Sequence, residues 1–138
     1  MRKTEYILPV VSAVMAGMIL QALGEKAIHA VYPPPPGLNF TDKAAIAAYA
    51  AQIPTVVFVL ILVNYVVCAL LSGVIATQVS GRKSVMPVLI TGAIITLGGI
   101  FNVVMIPHPM WFVVISVLLY IPSVWLGYQL SLRLAKVP

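Results

Sequence analysis

Charges in this chain fall in short clusters, and the stretches between the clusters are long and apolar. The first such stretch runs from Tyr6 to Gly24 without a lysine, arginine, aspartate or glutamate. As a helix it would reach about 28 Å, close to the ~30 Å of a bilayer's hydrocarbon. The second uncharged stretch, Ala44 to Gly81, has its densest apolar part at 56–79. Gly81-Arg82-Lys83-Ser84 is a short polar turn, after which Ser84 to Leu132 again carries no charge. One straight helix over that last stretch would be roughly 74 Å long, more than twice a bilayer. It must therefore fold back, and Pro107-His108-Pro109 is the place, because each proline lacks an amide hydrogen and disfavours helix in the residue before it. The pattern predicts an all-α membrane protein, a four-transmembrane-helix bundle forming one membrane domain over residues 1–138. Its spans lie near 6–24, 56–79, 86–106 and 110–132, with an outer loop at 25–52.

Composition agrees. Of 138 residues, 62% are hydrophobic and 8% charged, against roughly 25% charged in a soluble domain. A net charge of +5 suggests nucleic acid in a soluble protein, but here the bases sit at the ends of apolar segments, the pattern of membrane topology. Arg2, Lys3, Arg82, Lys83, Arg133 and Lys136 fall on one side and Lys26 and Lys43 on the other, which puts the first group and both termini in the cytoplasm. Trp111 and Tyr32 then sit at the outer interface, and Trp125 and Tyr128 toward the inner one. Arg2 and Lys3 precede the first span as in a secretory signal, but no clean small-x-small cleavage site follows, so the segment is expected to remain as a span. Cys68, the sole cysteine, lies in an apolar run and reads as a small packing residue.

The outer loop contains Tyr32-Pro33-Pro34-Pro35-Pro36-Gly37, a stiff polyproline segment ending in a turn. Thr41 or Asp42 is placed to cap a short helix from Lys43 to Ala51, on which Ile46, Tyr49 and Ile53 share a face that lies on the membrane or covers the bundle mouth. The prolines either turn the chain stiffly from helix one to helix two or dock Tyr32 and Pro33 to Pro36 into a partner's aromatic groove. Asn39-Phe40-Thr41 matches a glycosylation triplet, one common by chance.

Small residues recur at helical spacing: Ala13, Gly17 and Gln21; Ala69 and Gly73; Ser72, Ala76 and Ser80; Gly92, Thr96 and Gly99; Ser116, Tyr120, Ser123 and Gly127. In lipid such stripes let helix backbones approach, within one chain or between copies. Pro122 predicts a kink in the last span. Polar side chains gather in the outer half: Gln21, Glu25, Lys26, His29, Asn64, Asn102 and His108. Glu25 and His29, at i and i+4, are placed to pair. Three readings of Glu25, His29, Asn64, Asn102 and His108 compete. The asparagines tie helices together while Glu25 and His29 are solvated at the interface; Glu25, His29 and His108 bind a metal; or Glu25 is the coupling site of a small dimeric transporter or channel, although it lies at the outer end of its predicted span rather than at the midplane. No serine–histidine–acid set, cysteine nucleophile motif or phosphate loop is present, so no catalytic residue, cofactor or resident metal is expected.

Taken together, Glu25, His29, the Tyr32–Gly37 polyproline and Ile106-Pro107-His108-Pro109-Met110-Trp111 resemble a group of small bacterial membrane proteins with four predicted spans, a proline-rich first outer loop and a short proline-bounded second one. The resemblance implies a bacterial inner-membrane location and brings no activity or site residues. With little soluble mass and many packing faces, the sequence reads as a non-catalytic accessory, anchoring or stabilising subunit of a larger membrane assembly. Its expected partners are lipids and either other subunits or further copies of itself, with no nucleic acid; the alternative is a proton-coupled transporter or channel using Glu25. The charge pattern makes a direct prediction. A cysteine at Asn39 should react with a membrane-impermeant reagent from outside the cell, and one at Ser84 should not; labelling of both from one side would overturn the four-span arrangement.

Overall fold

The computed structural model describes residues 3–135; Arg2 and Lys136 of the charge count lie outside them. Five α-helices follow a single 3-10 turn at Lys3–Tyr6, with no strand among the described residues: α1 Ile7–Val31, α2 Lys43–Ala50, α3 Thr55–Val79, α4 Met86–Met105 and α5 Met110–Leu134. Every one except α2 is long and apolar enough to cross a membrane. The protein is a multi-pass helical membrane bundle.

The helix ends follow local chemistry. Helix α1 outruns its apolar stretch and stops at Val31, because Tyr32 precedes Pro33 and is pushed out of the helical region. Glu25, Lys26 and His29 are thus helical residues and not part of the loop. Asp42 caps α2 by accepting from the amides of Ala44 and Ala45 at 2.9 and 3.3 Å. Helix α3 ends with Gly81 in the left-handed region, where the Arg82 amide reaches back to the Thr77 carbonyl (3.0 Å) and the Gly81 amide to that of Gln78 (2.9 Å). The same end is tied across the bundle: the Arg82 guanidinium donates to Gln78 Oε1 (2.6 Å), and the Gln78 amide donates to Ser131 of α5 (2.9 Å). Pro107 and Pro109 bound the last reversal. Pro122 stands inside α5, and one residue on the Ser123 hydroxyl donates to the Leu119 carbonyl at 2.6 Å.

Helix α3 is the hub, packed most extensively on α5 and α1. The α3–α5 contact is a backbone contact. A Cβ at Gly73 would strike the Val124 carbonyl, and one at Gly127 the Leu70 carbonyl. Small residues of every predicted stripe are buried inside the chain, among them Ala13, Gly17, Ser72, Ala76, Gly92, Ser116 and Gly127. Large side chains such as Leu8, Leu97, Phe101 and Leu118 face outward. This inside-out distribution is what lipid selects, since association there relies on close packing. An aromatic column runs down the bundle: His108 lies on Phe112 (ring centroids 5.0 Å apart), Phe112 meets Phe58 (5.3 Å) and Tyr65 (6.1 Å), and Tyr65 stacks on Tyr120 (5.7 Å).

Gly98, in contrast to Gly73 and Gly127, has open space around its missing Cβ. Gly73→Ala and Gly127→Ala should each lower stability by about 1–3 kcal/mol, because backbone cannot step aside. Gly98→Ala should be neutral or stabilise by up to about 1 kcal/mol through helix propensity. Thermal unfolding in mild detergent ranks the three, and equal effects would refute the contact assignment.

Candidate functional site

A cavity of about 290 Å³ opens between α1, α3, α4 and α5. Its polar lining gathers residues far apart in sequence: Gln21 and Glu25 from α1, Tyr65 and Ser72 from α3, Asn102 from α4 and Tyr120 from α5. Val14, Ile95 and Ala69 supply apolar wall, and Met18, Ile94 and Gly98, which are exposed to the outside of the bundle, frame the mouth. The mouth thus faces lipid along the α1–α4 seam.

Glu25 is the centre of charge. Gln21, one turn earlier, donates to its Oε1 at 3.2 Å, and the buried Tyr65 hydroxyl is turned toward the same carboxylate. Because α1 continues to Val31, Glu25 lies six residues from that helix end, roughly 9 Å inside it. It therefore belongs to the body of the helix and not to its last turn. The i+4 pairing with His29 does not form: Glu25 is bonded one turn back, while the His29 ring is exposed.

Asn102 lines the same cavity, and its Oδ1 is buried with no hydrogen-bond partner. The other such atom among the described residues, Thr91 Oγ1, lies outside this cavity. Asn64 stands behind the site, not in it. Its amide donates to the Gln21 carbonyl (3.2 Å) and its Oδ1 accepts from the Cys68 thiol (3.5 Å), so it fixes α1 on α3 at the level of the cavity. Gly24 makes room for it, since a Cβ there would overlap the Asn64 side chain. Gly99 does the same for the Tyr120 ring.

His108 sits in the α4–α5 loop. Its Nδ1 lies 2.6 Å from the Ile106 carbonyl, to which it must donate. Burial pushes its pKa below the usual value; the Ile106 carbonyl and the charge on Glu25 act the other way and recover part of the shift. His29 and His108 do not join Glu25 as ligands, and no group of three or more His, Cys, Asp or Glu among the described residues is placed to hold a metal. Tyr32 and Pro33 line a shallower hollow of about 260 Å³ together with Tyr49, Ile53 and Val57, so the start of the polyproline faces its own chain, while Pro35 and Pro36 are exposed.

Sequence reasoning marked Glu25 and Asn102 but missed Tyr65 and Tyr120 as site residues. The signal was available, because a tyrosine near mid-span, away from the interface where its hydroxyl would meet water, needs a buried partner. The chain matches no protein-family model, no curated protein and no solved structure.

The histidine provides a local test. Its titration midpoint, followed by NMR, should lie below 6.5, and Glu25→Gln should lower it further by removing the favourable charge. Because the fold prefers the neutral ring, His108's contribution to stability is complete above about pH 6.5. It is lost as the pH falls from there toward the lower folded-state value. A midpoint that Glu25→Gln leaves unchanged would place the two groups farther apart than described.

Proposed function

We propose that this chain is a small carrier of the bacterial inner membrane, with both termini cytoplasmic, and that it moves a small solute through the Glu25 cavity. The observation that supports this most directly is the cavity itself. A carboxylate, two tyrosines and a buried amide converge on one lipid-facing space, and ionisable groups at such depth are expensive and mark substrate or proton paths. Pockets of this size, mostly apolar with a few convergent polar groups, are the usual form of a small-molecule site. The accessory-subunit reading rested on the little soluble mass, the lack of a catalytic constellation or midplane charge, and the abundance of small-residue packing faces. Many of those small residues are buried within the bundle, which leaves fewer such faces for a partner.

The location and orientation rest on the basic residues at the Arg82 end and on the resemblance to small bacterial four-span proteins. Arg82, Lys83 and Arg133 lie at one end of the bundle, and Lys43 lies in the loop at the other.

Two measurements test the proposal. Extracted in mild detergent, the protein should run as one or a few copies of itself; a stable larger particle with other chains would return the subunit reading. In proteoliposomes, solid-supported-membrane currents from a panel of amines, amino acids and sugars should include at least one solute-dependent signal. Glu25→Gln should abolish it with the fold intact, and silence across the panel would overturn the carrier assignment.

A further inference from the structure

The lining of the cavity holds one acid, Glu25, and no base. An ionised carboxylate has about four acceptor positions. At Glu25 one is taken by the neutral amide of Gln21 and one faces the Tyr65 hydroxyl, and the structure gives it no cationic partner among the described residues. Asn102 lines the same cavity, and its acceptor oxygen Oδ1 is buried and unpartnered in the wall. Leaving a buried acceptor unmet costs roughly 1–3 kcal/mol, so a ligand that donates to it, once the Asn102 side chain turns Oδ1 into the cavity, binds with that advantage. Of the donors that line it, the Gln21 amide is spent on Glu25, the Ser72 hydroxyl on the Cys68 carbonyl (2.9 Å) and the Cys68 thiol on Asn64, while the Tyr120 hydroxyl and the Asn102 amide nitrogen have no protein partner among the described residues. No lysine, arginine or histidine is among the lining residues, so an anion would meet no positive charge.

The mouth adds a second requirement. It is framed by Met18, Ile94 and Gly98 on the lipid-facing side, so whatever enters from the bilayer must itself partition there. We propose, building on the carrier reading, that the cavity binds a small amphipathic primary or secondary amine as its ammonium. Its N–H groups bridge Glu25 and Asn102 Oδ1, and its hydrocarbon body lies against Val14, Ala69 and Ile95. A free amine and the ethanolamine headgroup of a membrane lipid both offer this chemistry.

Phenethylammonium is the probe, with binding to the full chain measured calorimetrically in phosphatidylglycerol nanodiscs. It should bind, while propylbenzene, the uncharged isostere, and phenylacetate, the anion, should bind at least tenfold more weakly. Glu25→Gln should weaken the amine roughly ten- to hundred-fold, as expected for a lost charge-assisted hydrogen bond. Asn102→Leu should weaken it several-fold. Gly98→Leu, which adds bulk at the mouth where a Cβ has open space and which improves helix propensity, should reduce binding in a folded protein with Glu25 untouched. Replacing part of the lipid with phosphatidylethanolamine distinguishes the two sources. Competition identifies the headgroup as occupant, no competition identifies a free amine, and both support the ammonium class. Equal affinity for phenylacetate or propylbenzene, or no amine binding to the folded wild type, overturns it. Binding without any solute-driven current would instead overturn the carrier reading and leave the ligand class standing.

Discussion

The close approach of α3 to α5 is the contact on which the rest of the bundle depends. Gly73 and Gly127 each present a bare Cα to a carbonyl of the facing helix, that of Val124 in one direction and of Leu70 in the other. In water a core of this size is held by excluding solvent from apolar surface, but in lipid that drive is absent and packing contacts must do it. Carbonyl oxygens set against glycine Cα–H groups are weak individually but permit the shortest interhelical distance. With α3 and α5 joined, the remaining helices attach to ready-made surfaces. Helix α1 lies on α3 through Ala13 and Gly17, and α4 lies on α5 where Gly92 faces Val124 and Gly99 faces Tyr120. Helices α1 and α4 thus meet mainly by each holding a different member of the central pair. A seam between two such helices is where a cavity is least costly.

Polar economy then separates packing residues from the site. Most buried hydroxyls are satisfied on their own helix: Ser72 on Cys68, Thr77 on Gly73, Ser116 on Val113, Ser123 on Leu119. These hydroxyls behave structurally as small residues with a self-contained hydrogen bond. The residues round the cavity differ. Gln21, Glu25 and Asn64 bond between side chains or across helices, and Asn102 keeps an acceptor unused. That contrast, more than the presence of polar atoms, sets the surroundings of the cavity apart from the hydroxyls that only fill space between helices.

Much of the architecture was legible in the sequence, because three charge-free apolar segments, the last divided by the Pro107-His108-Pro109 reversal, admit few alternatives. The predicted small-residue stripes reappear as buried faces, and Asp42 caps α2 as its position before Lys43 suggested. The site was only half legible. Glu25 and Asn102 stand out as polar residues in apolar surroundings, yet nothing in their spacing says that they share one space. That depends on α1 and α4 lying side by side, which follows from the glycine contacts of a different helix pair. His29 and His108, which match Glu25 in chemistry, are kept apart by the same geometry, one on the outer face of α1 and one stacked on Phe112.

The placement of Glu25 shows that a pair of charges does not end a helix. Two adjacent ionisable residues, Glu25 and Lys26, read as the point where α1 leaves the membrane. Helices end where backbone geometry fails, however, and no residue between Gly24 and Val31 disfavours the helical region; Pro33 is the first that does. Successive residues on an α-helix point about 100° apart. Of the two charges, therefore, one can turn inward while the other turns out. Lys26 is exposed, and its long apolar stem can carry the ammonium toward water, whereas Glu25 is half-buried and has only two methylenes. The short acid turns into the bundle and accepts from Gln21 instead. The unequal reach of these neighbours leaves a net acceptor inside the bundle, and the chemistry of the cavity follows from it.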